Sequence, residues 1–251
     1  MGKTTTAVNL GTSLAAAEKK TLLVDLDPQG NCTTGLGIDR SKLQSSLYEV
    51  LIGTQSLMEV LCETEIPSLF VAPATKDLIG AEIELISVER RESRLKDALG
   101  PVRQDFDYVL LDCPPSLGIL TLNALTAADS LLVPLQCEFY ALEGLSSLLE
   151  TLRLVQKALN PSLSLEGILL TMFDGRNRLS HEVAEEIRSH FPDRLFQTVI
   201  HRNVRLSESP SHGRPALLYD PQSTGAQSYL ELARELIRNG EENRRAEKGA
   251  G

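Results

Sequence analysis

The chain has 251 residues, 42% of them hydrophobic and 24% charged, with a formal net charge of −9. These proportions suit a globular protein large enough for one sizeable α/β domain and exclude fibrous or broadly disordered chains. The acidic balance argues against a generally cationic nucleic-acid binder. It leaves room for a local basic patch, because phosphate contacts act within about one Debye length, roughly 8 Å at physiological salt.

Gly2-Lys3-Thr4 opens the sequence ahead of a helix predicted over Thr4–Ala17. A strand over Thr21–Val24 then empties into Asp25-Leu26-Asp27-Pro28-Gln29-Gly30. Next come a strand over Ser68–Ala72 and one long helix over Lys76–Leu99, whose Glu82, Glu84, Glu89, Arg90, Arg91 and Glu92 read as a solvated face. A strand over Tyr108–Leu111 runs into Asp112-Cys113-Pro114-Pro115. Helices over Leu117–Ala127 and Ala141–Leu159 alternate with strands over Ser130–Leu135 and Glu166–Thr171. A helix over Ser180–His190, a strand over Phe196–Ile200 and a last helix over Ser223–Arg238 complete the pattern.

Continuous apolar strands alternating with helix-length segments predict an α/β fold: a doubly wound, mostly parallel sheet flanked by helices. No linker rich in Gly, Ser or Pro divides the chain, so residues 1–238 are expected to form a single domain. Residues 239–251 are polar and Gly-rich and are expected to be a loosely ordered tail. Cys32, Cys62, Cys113 and Cys137 stand far apart, which favours reduced thiols over a disulfide framework or zinc site. His181, His190, His201 and His212 have no metal-ligand spacing and read as surface residues. The start lacks the pattern of a secretory signal, and no apolar run approaches the roughly 18–20 residues that cross a bilayer.

Gly2-Lys3-Thr4 has the order of the back half of a P-loop, G-x-x-x-x-G-K-[ST]. Backbone N–H groups at a helix start cradle phosphate, the lysine bridges the outer phosphates and the threonine hydroxyl holds Mg²⁺. Aspartates at the carboxyl ends of parallel strands sit at the crevice where such sheets bind ligands. A lone aspartate there would serve equally well as a helix cap. Three of them behind Gly-Lys-Thr, in this order, read as a nucleotide site, with Asp112 on the metal and Asp27 orienting or deprotonating water. Met172 and Phe173 could wall a base pocket or simply pack the core.

GKTTTAVNLG, LLVDLDPQGN, VLLDCPPSLG, PLQCEFYALEGL and RNVRLSESPSHGRP, in this order and spacing, resemble the ParA/Soj partitioning ATPases of the deviant P-loop class over roughly residues 1–237. The resemblance implies that Lys3, Thr4 and Thr5 contact the phosphates and Mg²⁺ of ATP beside Gly2, and that Lys3 and Asp27 serve hydrolysis. It implies that Thr4 and Asp112 hold the metal, and that Arg176 and Arg205 meet DNA. Charge alone would leave those arginines on a solvated face, although His201–Arg214 carries three arginines against one acid, Glu208.

The family further implies an ATP-dependent homodimer that binds DNA non-specifically and releases it after hydrolysis stimulated by a ParB-type centromere-binding partner. Such a protein would be cytoplasmic and nucleoid-associated, with no membrane partner. The family's loop reads KGGVGKT behind a buried strand, so the first strand and the front half of the loop are expected to be missing from the sequence as given. The alternative is a catalytically impaired DNA- or partner-binding module of the same fold. A membrane-recruited relative such as MinD would need an apolar C-terminal stripe, which Glu241–Gly251 lacks. Cys113 and Cys137 do not have the glycine-rich settings of an iron protein's cluster, and a dethiobiotin-synthetase-like ligase would leave the arginine signature unexplained.

Overall fold

The computed structural model describes residues 2–249, with side chains as far as Glu242; Met1 lies outside the described residues. In chain order the elements are α1 (Lys3–Ala16), β1 (Thr21–Asp25), α2 (Asn31–Gly35), α3 (Leu47–Ile52), α4 (Leu57–Val60), β2 (Cys62–Glu63) and β3 (Leu69–Ala72). There follow α5 (Leu78–Glu84), α6 (Arg94–Leu99), β4 (Tyr108–Asp112), α7 (Ile119–Ala127), β5 (Ser130–Gln136), α8 (Ala141–Ala158) and β6 (Ser164–Thr171). The last elements are α9 (Arg178–His190), α10 (Val204–Glu208), α11 (Ala216–Tyr219) and α12 (Thr224–Gly249).

β1 is buried along its whole length and pairs in parallel with β3 on one side and β4 on the other. Alternation sorts its side chains: Leu22 and Val24 enter the core under α3, α5 and α7, whereas Leu23 packs with Val8 and Ala15 of α1. β2 adds an antiparallel edge to β3, giving the order β2-β3-β1-β4. β5 and β6 pair in parallel as a second, separate sheet. One apolar cluster joins the two: Leu10 and Leu14 of α1 pack with Leu110 of β4, Leu132 of β5, Leu169 of β6 and Tyr229, Leu232 and Leu236 of α12.

Because most of α1 from Thr6 onward is buried, its polar side chains there must find partners inside the protein. The Thr12 and Ser13 hydroxyls donate to the carbonyls of Val8 and Asn9, each at 2.8 Å. Asn9 donates to Thr5 O at 2.8 Å and accepts from Ala216 N–H at 2.8 Å, while Thr6 Oγ1 and Tyr229 Oη meet at 3.1 Å. α1 is thereby bonded to α11 and α12.

Three predicted elements differ. The long helix over Lys76–Leu99 is broken after α5, with 3₁₀ turns at Leu85–Ser87 and Arg91–Ser93 and Arg90 at φ +54° before α6. At the start of α6 the buried Asn123 side chain accepts Leu95 N–H at 3.0 Å and donates to Arg91 O at 2.8 Å, taking the two groups that a continuous helix would have bonded to each other. Phe196–Ile200 runs beside β6 without forming a continuous strand, because the N–H groups of Gln197 and Thr198 go to the Glu235 carboxylate of α12 at 2.7 and 2.9 Å. The last helix continues through the segment expected to be a loose tail, as far as Gly249, a stretch rich in the good helix formers Glu, Arg, Ala and Lys.

Candidate functional site

The strand ends at β1 and β4 and the start of α1 converge. Asp25 and Asp112 are register partners, and Leu26 N–H donates to Asp112 O at 2.9 Å, so the two acidic loops leave the sheet side by side. Gly2 takes φ +100° as the N-cap of α1, and no side chain caps the helix, so its first-turn N–H groups point toward this crevice end without a capping acceptor. A side chain at Gly2 would meet Thr171 Oγ1 at 3.3 Å, so the carboxyl end of β6 closes against the loop.

Asp25 is fully buried and saturated. Its Oδ2 accepts Thr33 N–H at 2.8 Å and the Thr33 hydroxyl at 2.7 Å, and its Oδ1 accepts Asp27 N–H at 3.2 Å. Thr33 Oγ1 in turn accepts Ala74 N–H at 2.9 Å, tying the turn after β1 to the end of β3. Burial raises the Asp25 carboxyl above its ordinary range against these hydrogen bonds.

Asp27, also buried, uses Oδ1 to accept Gln29 N–H at 2.9 Å, and its other oxygen accepts no hydrogen bond among the described residues. Arg40 clamps the same turn by donating to Gln29 O and, at 3.0 Å, to Pro28 O. Sequence reasoning gave no role to Thr33 or Arg40. Nothing local to either residue reports its long-range partner.

Among the described residues, Asp112 is the exception to the rule that buried polar atoms are paired. Both of its carboxylate oxygens are buried and accept no hydrogen bond. Burial pushes its carboxyl up to about 7, helped by Asp25 and Asp27 and opposed by the nearby Thr4 hydroxyl and Lys3 ammonium. An orphaned carboxylate beside a threonine hydroxyl and a lysine fits a divalent cation carried with phosphate. No group of three or more His, Cys, Asp or Glu forms a metal cage among the described residues. Mg²⁺ needs none, since it is usually held by one or two carboxylates, phosphate oxygens and water.

The structure therefore brings together Gly2, Lys3, Thr4, Asp25, Asp27 and Asp112. Thr5 sits in the first turn of α1 with its carbonyl occupied by Asn9. Met172 follows β6 at φ +50°, its sulfur against the Gln136 amide at 2.8 Å, and Phe173 lies edge-on between His181 and His201 at 5.1 and 5.4 Å. All four histidines are exposed, and all four cysteines are free.

Among the described residues, Arg176 and Arg205 make no hydrogen bond or ion pair to this cluster. Arg176 is paired with Asp174 at 3.1 Å, and Arg205 with Glu208 at 2.9 Å and Asp220 at 3.1 Å. Arg214 reaches Glu65 at 3.2 Å. The positive excess counted over His201–Arg214 is thus largely cancelled in space by acids from outside that stretch. No helix among the described residues is long and apolar enough to cross a membrane.

Residues 1–165 match the family model AAA_31, described as an AAA domain. The chain is 56% identical over 238 residues to the chromosome partitioning protein ParA of Myxococcus xanthus, covering 95% of this chain and 84% of that protein. It is 55% identical over 240 residues to the sporulation initiation inhibitor protein Soj of Bacillus subtilis, covering 96% and 95%. Among solved structures it is similar to cobyrinic acid a,c-diamide synthase from Mycobacterium smegmatis with bound ATP analog and magnesium, at 39% identity and a TM-score of 0.83, covering 96% and 91%. The cell division ATPase MinD of Pyrococcus furiosus matches at 25% identity and a TM-score of 0.78, covering 94% and 93%.

Proposed function

Because the chain belongs to the ParA/Soj family of P-loop partitioning ATPases, we propose that it is an ATPase that dimerises on ATP, binds DNA without sequence preference and leaves it on hydrolysis. A ParB-type centromere-binding protein would stimulate that hydrolysis, and the protein would work on the nucleoid in the cytoplasm. The observation that carries the reading is Asp112, a buried carboxylate with both oxygens unpartnered at the mouth of the α1 loop. The 39% likeness to a diamide synthase bound to an ATP analog and magnesium supports the nucleotide and metal. The partitioning proteins, more similar at 55–56%, favour partitioning over amide synthesis.

In this reading the first-turn N–H groups of α1 and the Lys3 ammonium bind phosphate. Thr4 and Asp112 would hold Mg²⁺, which when bound supplies charge neutralisation on the phosphates. Asp27 keeps one oxygen on Gln29 N–H, which fixes the carboxylate, and turns the other to orient the attacking water. Asp25 takes no direct part; it holds Asp27 and Thr33 in place.

Sedimentation velocity and co-sedimentation with DNA, each with ATP·Mg²⁺ or ADP·Mg²⁺, test the proposal. A dimer that holds DNA with ATP and a monomer that releases it with ADP are expected. Identical behaviour in both nucleotides would overturn it.

A further inference from the structure

We infer that Asp174, Glu208 and Asp220 occupy the guanidinium edges that a DNA phosphate would otherwise take, and so set how tightly this chain holds DNA; the inference rests on the DNA reading proposed above. Arg176 is 89% exposed, yet its Nε donates to Asp174 Oδ1 and its Nη2 to Oδ2, each at 3.1 Å. That fork is the one arginine offers to phosphate, so carboxylate and phosphate are alternatives on the same edge. Arg205 is engaged on two sides, Nη1 to Glu208 Oε2 at 2.9 Å and Nε to Asp220 Oδ2 at 3.1 Å. One positive charge there faces two negative ones. A phosphate approaching either arginine meets an edge already held by a carboxylate, and must displace it to bind.

Asp174 also shapes its own turn, its Oδ1 accepting Arg176 N–H at 3.1 Å. Asparagine keeps that acceptor and drops the charge, so Asp174→Asn separates the electrostatic role from the structural one. Glu185 on α9 is exposed and has no ion pair among the described residues, which makes Glu185→Gln the control for a general change in net charge.

The test is fluorescence anisotropy of a labelled mixed-sequence duplex titrated with the full chain in ATP·Mg²⁺. Asp174→Asn is expected to tighten binding by about 2- to 5-fold per subunit, the range for an exposed ion pair. Glu208→Gln is expected to do likewise, and Glu185→Gln to fall well below both. In an Arg176→Ala background, Asp174→Asn should have no more effect than the control.

Tightening no greater than that of Glu185→Gln, or equal tightening with and without Arg176, would overturn the competition. If Arg176→Ala and Arg205→Ala both bind DNA like the parent, these arginines are not the DNA contacts and the masking falls with them; if the parent in ATP·Mg²⁺ binds no DNA, the DNA reading itself fails. If those variants bind weakly while Asp174→Asn and Glu208→Gln match the control, only the masking fails.

Discussion

Asp25 and Asp112 face each other across the β1–β4 pairing, but Asp25 accepts three hydrogen bonds and Asp112 none. Two carboxylates at one level of one sheet are thus prepared for different ends. The first is spent on structure and the second is kept open.

The open carboxylate makes stability depend on pH. Asp112 titrates at about 7 instead of 3.8, so the folded chain binds the proton more tightly than the unfolded one. Stability from this group is complete below about pH 4 and is lost as pH rises through about 7, a swing on the order of 4 kcal/mol. Urea denaturation in chelator is expected to show that decline between about pH 4 and 7. Asp112→Asn should remove the decline, and Mg²⁺ should flatten it in the parent alone. A parent protein with no such slope would count against an unpartnered Asp112.

Lys3 and Asp27 should fail in different ways. Lys3→Ala is expected to lose ATP binding, because that ammonium is the nearest fixed positive charge to the phosphates. Asp27→Ala should bind ATP and lose turnover by about 10²–10⁴-fold, the range for a positioned acid–base group, while the dimer accumulates on DNA. Equilibrium binding and phosphate release separate the two, and parental turnover in Asp27→Ala would sink its role.

If Arg176 and Arg205 each meet one phosphate per subunit, a dimer neutralises about four, and log K falls against log salt with a slope of roughly −3.6. Removing either arginine should flatten the slope by about two and weaken all sequences alike. Anisotropy between low and physiological salt measures this; parallel lines for mutant and parent would place these arginines off the backbone.

Thr33 holds both Asp25 and Ala74 N–H, so Thr33→Val leaves two buried groups short of a partner. Unfolding in urea should show a loss of roughly 1–3 kcal/mol. A neutral substitution would mean that water reaches these atoms.

What the sequence disclosed was local. Gly-Lys-Thr ahead of a helix and strands ending in aspartate are short patterns, and they place Lys3, Asp27 and Asp112 in one crevice. Ser46 with Glu49 and Ser56 with Glu59 form capping boxes that announce α3 and α4, a signal that was present and unused. Asn123, Glu235 and Arg40 could not be read this way. Each acts on a backbone segment distant in sequence, and nothing near it reports the partner. The same reason hid Asp220 and Glu65, which pair with Arg205 and Arg214.

The bonds from Thr6 to Tyr229 and from Asn9 to Ala216 span 223 and 207 positions, nearly the whole chain. Loops of that length close late, since their entropy must be met before the contact gives any return. During synthesis α1 is made well before α11 and α12, so the Thr6 hydroxyl and Asn9 Oδ1 lack these partners until those elements have been made. Assembly around α1 is thus timed by elements more than 200 positions further along the chain. Tyr229→Phe should accordingly speed unfolding and leave the refolding rate nearly unchanged in stopped-flow measurements. Slowed refolding would instead place this closure in the folding nucleus.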